Sequence, residues 1–230
     1  MAYLIAFRSR QFEIRAIPAA FPEPAKATHQ QLYDRMIKFQ WNSSKSATGK
    51  LAKKDINYER WADEFHQSIL EAHANAHWIG RDLVGSGQAD FSYADVIAGR
   101  NQADIDAEYL QGFIDDLIAG RYTDPETGDL LVNQIYNRQR LYIGRARGTS
   151  AQASVDGLKK DDEIYWRLGG AEEHCAECPV LAEMGPFFKD DLFTTPGAGG
   201  TPCLGNCLCH LELTHGGETL NTIKPVELSL

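Results

Sequence analysis

Cysteine is absent from the first 174 residues of this 230-residue chain. Long hydrophobic runs are also absent, since no apolar stretch reaches the roughly 20 residues that a membrane-spanning helix needs. The first residues carry no basic leader, and their apolar run is too short for a secretory signal peptide. We therefore expect the chain to stay in a reducing cytoplasm, where clustered thiols favour metal binding over disulfides.

The familiar sequence signatures of catalysis are missing as well. The chain contains no G-x-S-x-G motif, no P-loop and no H-E-x-x-H motif. Paired carboxylates occur at 115–116 and 161–162, but adjacent side chains point apart and such pairs are routine on helix surfaces. The sequence therefore predicts that the protein is not an enzyme.

What the chain does contain is a cluster of five cysteines in its last quarter, spaced C-x2-C-x24-C-x3-C-x-C. These residues are Cys175, Cys178, Cys203, Cys207 and Cys209. A close pair followed by a second close group is typical of a tetrahedral zinc site. We predict a structural Zn²⁺, because catalytic zinc usually has three protein ligands, often histidines, and an open position.

The spacing leaves the fourth zinc ligand open. The first half of the site is Cys175 with Cys178, and the second half is Cys203 with either Cys207 or Cys209. Three histidines stand close enough in the sequence to act as reserve ligands, namely His174, His210 and His215. Such a short, loop-rich module has a small core of its own, so a bound metal would hold it folded.

Charge is unevenly distributed along the chain. Residues 161–230 carry 12 acidic and 3 basic residues, so the net charge of −9 belongs entirely to this segment. Nucleic-acid affinity depends on Lys and Arg that neutralise phosphates, and an acidic cysteine module is therefore a poor candidate for a DNA-binding finger.

The most basic stretch precedes this module. It contains Arg138, Arg140, Arg145 and Arg147. Two interpretations carry equal weight, namely a surface that meets DNA or an acidic partner, and arginines that pair with the acidic C-terminal module.

The middle of the chain has helical periodicity. Helices are predicted over 28–41, over 57–80, over 91–118 as one or two helices, and from about residue 130 onward. The polar, basic segment 42–55 is predicted to be a mobile loop. In the second helix His73 and His77 have the i, i+4 spacing of a metal pair, but no adjacent glutamate supports it, and we favour surface or partly buried histidines.

The ends of the chain differ from the middle. Two short apolar runs and three prolines within 1–24 indicate an arm or hairpin. Short strands are predicted at 164–168 and 209–215, the second as a terminal strand. The predicted architecture is a mainly α-helical body with a small C-terminal zinc-stapled β/loop module, α+β overall. Its parts are an arm (1–24), a helical domain (25–155) and a cysteine-rich zinc-binding module (156–230).

Several C-terminal motifs resemble a known family. The run Y-x-G-x-A-R-G-T at 142–149 precedes a strand with Trp166, and C-A-E-C-P-V-L-A at 175–182 precedes C-L-G-N-C-L-C at 203–209. Together they resemble the minor head (head morphogenesis) proteins of tailed bacteriophages, the phage Mu F-like group. Leu208 stands where that group usually has arginine, and Cys203 lies near a position where many members have histidine.

The resemblance covers roughly residues 135–213 and implies a function in phage assembly. It implies a virion structural protein, present in several copies, that docks on portal, capsid or neck proteins during head morphogenesis, with packaged DNA as a further contact. The corresponding locations are the virion and, during assembly, the host cytoplasm. A zinc-stapled nucleic-acid-binding or regulatory protein is the alternative, because the arginines at 138–147 could contact phosphates.

Overall fold

The computed structural model describes residues 28–85, 90–170, 173–226 and 228. The predicted arm at 1–24 lies outside these residues. Within the described residues, four long helices are followed by a small sheet with a short helix. The four helices are α1 (His29–Ala52), α2 (Tyr58–Val84), α3 (Tyr93–Ile118) and α4 (Val132–Asp156). The architecture is therefore the predicted helical body with a C-terminal β/loop module.

Helix α2 lies at the centre of the helical body and packs against α1, α3 and α4. Its predicted apolar stripe is confirmed, because all of its members are fully buried: Trp61, Phe65, Ile69, Ala72, Ala76 and Ile79. The Asn57 side chain caps the helix by accepting a hydrogen bond from the backbone N–H of Arg60. Aromatic rings from α3 and α4 complete this core, since Phe113 meets Trp61 edge-on at 5.5 Å and Tyr142 meets Phe65 edge-on at 5.7 Å.

The predicted loop at 42–55 is wrong, because α1 continues through it to Ala52. The buried face of this part of α1 consists of small and polar residues, and Ser44, Ala47 and Thr48 are almost fully buried. Thr48 accepts a hydrogen bond from the Trp61 indole at 2.9 Å and donates one to Gln139 at 2.9 Å. These tertiary partners stabilise a helix that the low-complexity sequence does not reveal.

Helix α3 is one continuous helix whose beginning was predicted correctly. The backbone N–H of Ser92 donates to the Asp95 carboxylate at 2.7 Å, which satisfies the first turn. Phe113 and Leu117 are buried as expected, whereas Tyr109 is 60% exposed. The predicted stripe of α3 is therefore correct at two of its three positions.

The C-terminal module contains a three-stranded antiparallel sheet in the order β1-β2-β3. Its elements are β1 (Glu163–Arg167), α5 (Glu177–Met184), a 3₁₀ turn (Leu204–Asn206), β2 (His210–His215) and β3 (Glu218–Asn221). Trp166 pairs with Leu211 across β1 and β2, and both are buried. The strand predicted at 209–215 is present, but it is not terminal, because β3 follows it.

The helical body and the module share their cores. Val84 and Val155, at the ends of α2 and α4, belong to the apolar cluster of the sheet and the cysteines. In return, Ile223, just beyond β3, is buried in the core of the helical body. Among the described helices, none is long and apolar enough to cross a membrane.

Candidate metal centre

The first two cysteines lie at the start of α5. Cys178 is in the first turn of this helix and is 1% exposed, whereas Cys175 precedes the helix and is partly exposed. Their sulfur atoms are 3.2 Å apart. The helix turn brings together two thiols that are three residues apart, which is the local geometry that the C-x2-C spacing predicted.

The other three cysteines flank the 3₁₀ turn and lead into β2. Cys203 precedes the turn, Cys207 follows it, and Cys209 immediately precedes the strand. Cys207 and Cys209 are buried. The Cys178 sulfur lies 3.7 Å from the Cys203 sulfur and 3.8 Å from the Cys207 sulfur. The contact of α5 with this turn therefore brings together two cysteine groups that are separated by 24 residues in the sequence.

The sulfur atoms fall into two groups of three that share Cys178. Cys175, Cys178 and Cys203 form one group, Cys178, Cys207 and Cys209 form the other, and within each group all sulfurs lie within 4.8 Å. A tetrahedral zinc with Zn–S bonds of about 2.3 Å requires S···S separations of about 3.8 Å. The two distances from Cys178 quoted above match that spacing. The cluster could hold a metal ion, and Cys178 is the ligand common to both arrangements.

The thiols influence one another's ionisation. Burial raises the pKa of the Cys178 thiol, and a hydrogen bond to Cys209 raises the pKa of Cys207. The same bond from Cys207, aided by the Gly169 backbone N–H, lowers the pKa of Cys209 to about 5. The Trp166 indole also lies close enough to Cys209 to lower the pKa of its thiol. The thiolate is the form of cysteine that binds a metal. The neighbours of Cys209 stabilise this form of its side chain.

Arg147 attaches the cysteine cluster to the helical body. This α4 residue is 3% exposed, and its guanidinium donates hydrogen bonds to the backbone carbonyls of Cys207 and Cys209. The neighbouring Gly148 allows the loop at 197–198 to lie close against α4, because a Cβ at this position would lie 2.5 Å from the backbone nitrogen of Ala198. The module is thus attached to α4 by the Arg147 side chain and by the close approach of the loop at 197–198 to Gly148.

The histidines proposed as reserve ligands are not members of either sulfur group. His215 instead lies with its Nδ1 2.5 Å from a carboxylate oxygen of Asp162, which joins β2 to the segment before β1. Burial lowers the pKa of His210, at the start of β2. In the helical body, His73 and His77 are bound to carboxylates of Asp106 and Asp95, and His66 and His73 are buried rather than at the surface.

The four arginines of 138–147 lie on two sides of α4 because their spacing gives two i, i+7 pairs. On one side, Arg138 lies over the Phe113 ring at 5.8 Å, and Arg145 lies 2.8 Å from an oxygen of Asp106. On the other side, Arg140 is exposed and Arg147 is buried against the cysteine turn. Arg147 contacts the C-terminal module through carbonyls rather than carboxylates, a role that its position in a basic run does not reveal.

Comparison of the chain with models of known protein families, with curated proteins and with solved structures finds no match.

Proposed function

We propose that this chain is a virion structural and assembly protein of a tailed bacteriophage, a minor head protein that docks on portal or capsid proteins during head morphogenesis. The observation that supports this most is the mutual contact of its separate motifs. Arg147 of the Y-x-G-x-A-R-G-T run binds the carbonyls of Cys207 and Cys209 in the C-L-G-N-C-L-C run. Motifs that resemble one family in sequence thus cooperate in one local structure.

The proposed cofactor is a structural Zn²⁺. Thiolates are soft ligands that select zinc among the common divalent ions of the cell, and the distances from the Cys178 sulfur to those of Cys203 and Cys207 match a tetrahedral ion. All five cysteines belong to the core of the module, where Cys178, Cys207 and Cys209 are buried and Cys175 and Cys203 are partly buried. A metal bound by thiolates within this core would add its binding free energy to the stability of the folded module.

The surface of the module supports a docking role. Around α5 and the loop after it, large apolar side chains are exposed: Val180, Met184, Phe188 and Phe193. Exposed acidic residues stand among them, namely Glu177, Glu183, Asp190 and Asp191. Exposed apolar patches with a polar rim are typical of protein interaction sites. We propose portal, capsid or neck proteins as the partners, in the virion and in the host cytoplasm during assembly.

A nucleic-acid-binding regulator receives less support. Arg147 is buried and Arg145 is paired with Asp106, which leaves Arg138 and Arg140 as exposed cations on different sides of α4. Two separated charges neutralise few phosphates, and the module beside them is acidic. A contact with packaged DNA through Arg138 or Arg140 is a minor addition to the proposed assembly role.

The assembly role is tested in a phage that carries this gene. The protein should be present in purified virions and should co-purify with the portal or the major capsid protein from infected cells. Deletion of the gene should lower the yield of infectious, DNA-filled heads, and plasmid-borne wild-type protein should restore it. Absence from virions together with an undiminished yield of heads would contradict the proposal.

The metal is tested separately on the purified protein. Elemental analysis of protein kept under reducing conditions should give one zinc per chain, and Co²⁺ substitution should give the sulfur-to-cobalt absorption band whose intensity grows with the number of thiolate ligands. Reduced, folded protein that contains no stoichiometric metal and takes up no Co²⁺ would exclude the zinc staple without affecting the assembly role.

A further inference from the structure

A buried arginine lies against the cysteine cluster without a carboxylate partner. Arg147, in α4, is 3% exposed, and its guanidinium donates hydrogen bonds to the backbone carbonyls of Cys207 and Cys209. Within the described part of the chain, no carboxylate lies within ion-pair distance of this guanidinium. Because a guanidinium stays protonated in proteins, Arg147 places a full positive charge in the interior. The two carbonyls solvate that charge but do not neutralise it, and a buried charge is costly unless an opposite charge lies nearby.

Metal binding by the cysteine cluster would supply the opposite charge. Four thiolates and one Zn²⁺ sum to a charge of −2, and the segment 161–230 is already acidic, with 12 acidic and 3 basic residues. The three basic residues are placed elsewhere, since Arg167 pairs with Glu212, Lys189 donates to backbone carbonyls at the end of α4, and Lys224 is exposed beyond β3. The buried cation that the described structure places beside the cluster therefore comes from α4.

The packing around Arg147 keeps water away from this contact. Gly197 lies so close that a Cβ there would be 3.1 Å from Nη2 of Arg147. The loop at 197–198 thus covers the guanidinium on one side, while the carbonyls of Cys207 and Cys209 hold it on another. Charges in such low-dielectric surroundings interact more strongly than at the surface and are screened little by salt. A charge at position 147 should therefore influence a metal bound by Cys207 or Cys209.

We propose that Arg147 is the buried counter-charge of an all-cysteine zinc centre and thereby sets its affinity for the metal. The inference rests on the structural Zn²⁺ of the proposed function and adds a residue of the helical body to that site. All-cysteine coordination follows from the geometry, since both groups of candidate ligands consist of sulfurs and neither contains a histidine. The guanidinium lies on the main chain of two candidate ligands, so its charge favours the dianionic, metal-bound state over the metal-free thiols.

The test measures Zn²⁺ affinity of the full-length, reduced protein by competition with a chromophoric chelator. Arg147→Met removes the charge, whereas Arg147→Lys keeps it, and both lose the two-pronged contact with the carbonyls. Their stabilities should therefore fall alike, and the difference between their affinities isolates the charge. Arg147→Met should bind Zn²⁺ at least about tenfold more weakly than Arg147→Lys, within the roughly 10–100-fold range that loss of an outer-shell partner costs.

Arg140→Met and Arg140→Lys are the matched control, because Arg140 is exposed seven residues earlier on the same helix. These two variants should bind Zn²⁺ equally tightly. The difference between the two Arg147 variants should persist at about 1 M salt, where the Debye length is only about 3 Å and surface charges are screened. Circular dichroism shows which metal-free variants are folded. Arg147→Gln, which is uncharged but keeps a hydrogen-bond donor, replaces Arg147→Met in the comparison if the methionine variant does not fold.

The outcomes separate this inference from the metal site on which it rests. A wild type that binds Zn²⁺ together with equal affinities of Arg147→Lys and the uncharged variants would overturn the counter-charge role and leave the zinc site intact. A difference that vanishes at high salt would also overturn it, because the effect would then come from an exposed charge. A folded, reduced wild type that binds no metal would overturn the zinc site and this inference together.

Discussion

The guanidinium of Arg147, in the middle of α4, donates a hydrogen bond to the backbone carbonyl of Cys209, 62 residues later in the chain. This bond joins the helical body to the candidate metal centre. Its position gives the module a polar attachment to α4 in addition to the apolar contacts of Val84 and Val155.

Replacement of Arg147 should destabilise the fold. Arg147→Lys keeps the charge but cannot form the two-pronged contact with both carbonyls. Because two buried charge-assisted hydrogen bonds are lost or weakened, the free energy of unfolding should fall by about 2–4 kcal/mol. Urea denaturation measures this change. The matched control is Arg140→Lys, seven residues earlier and exposed, which should change stability by less than about 0.5 kcal/mol. Equal effects of the two changes would show that the contact is unimportant.

Cys178 should be the cysteine on which metal binding depends most, because it belongs to both sulfur groups. Loss of an outer-shell partner already costs about 10–100-fold in metal affinity, and Cys178→Ser should cost at least as much. Competition with a chromophoric chelator measures the affinity. Cys203→Ser and Cys209→Ser are the controls, because each belongs to one group only, and each should retain more affinity. A Cys178→Ser variant that binds as tightly as either control would contradict this ranking.

Thr48 should contribute more to stability than its position in a low-complexity segment suggests. Thr48→Val keeps the shape of the side chain but leaves the Trp61 indole N–H and the Gln139 side-chain oxygen without this partner. Each unsatisfied buried group costs about 1–3 kcal/mol, so a loss of about 2–4 kcal/mol is expected in chemical denaturation. Ser46→Ala, on the exposed face of the same helix, should have almost no effect. A neutral Thr48→Val would mean that water or a local shift satisfies both groups.

Stability should fall in mild acid because of His66. Burial lowers the pKa of this histidine from 6.5 to about 4. Above pH 6.5 it is neutral in both states, whereas between pH 6.5 and 4 the unfolded chain binds a proton that the folded chain does not. The free energy of unfolding should therefore decrease as the pH falls through this window. The total contribution is about 3 kcal/mol, since each pH unit between the two pKa values corresponds to about 1.4 kcal/mol.

Urea denaturation at several pH values isolates this contribution when the wild type is compared with His66→Gln. The variant should show a flatter dependence between pH 4 and 6.5. The negative charge of Asp104 raises the pKa of His66 against the larger effect of burial, so Asp104→Asn should extend the decrease below pH 4. Identical slopes for the wild type and His66→Gln would show that His66 can be protonated in the folded state.

Local patterns were sufficient to predict most of the elements. The period of Trp61, Phe65 and Ile69 identifies α2 because every fourth residue of a helix returns to the same face. The strand with Leu211 and Leu213 was found for the equivalent reason, since alternate residues of a strand share a side. The cysteine cluster was predicted in the same way, because the C-x2-C and C-x3-C-x-C groups are each confined to a few residues.

Other features depend on contacts between distant residues and have no local signal. The second half of α1 looked like a loop because Ser44, Ala47 and Thr48 form an apolar-poor face, and their partners lie on other helices. The strand β3 was missed because its burial pattern is mostly exposed, so its sequence lacks a clear alternation.

The sequence alone determined that the chain is a helical body followed by a cysteine module, because the periodicity of side chains and the spacing of thiols act over a few residues. Only the tertiary structure decided that Cys178 is shared by both sulfur groups, that Arg147 faces carbonyls rather than phosphates, and that His73 lies between Asp106 and Thr149. These relationships depend on how the helices pack against one another, and the packing is set by the whole buried surface rather than by any one segment.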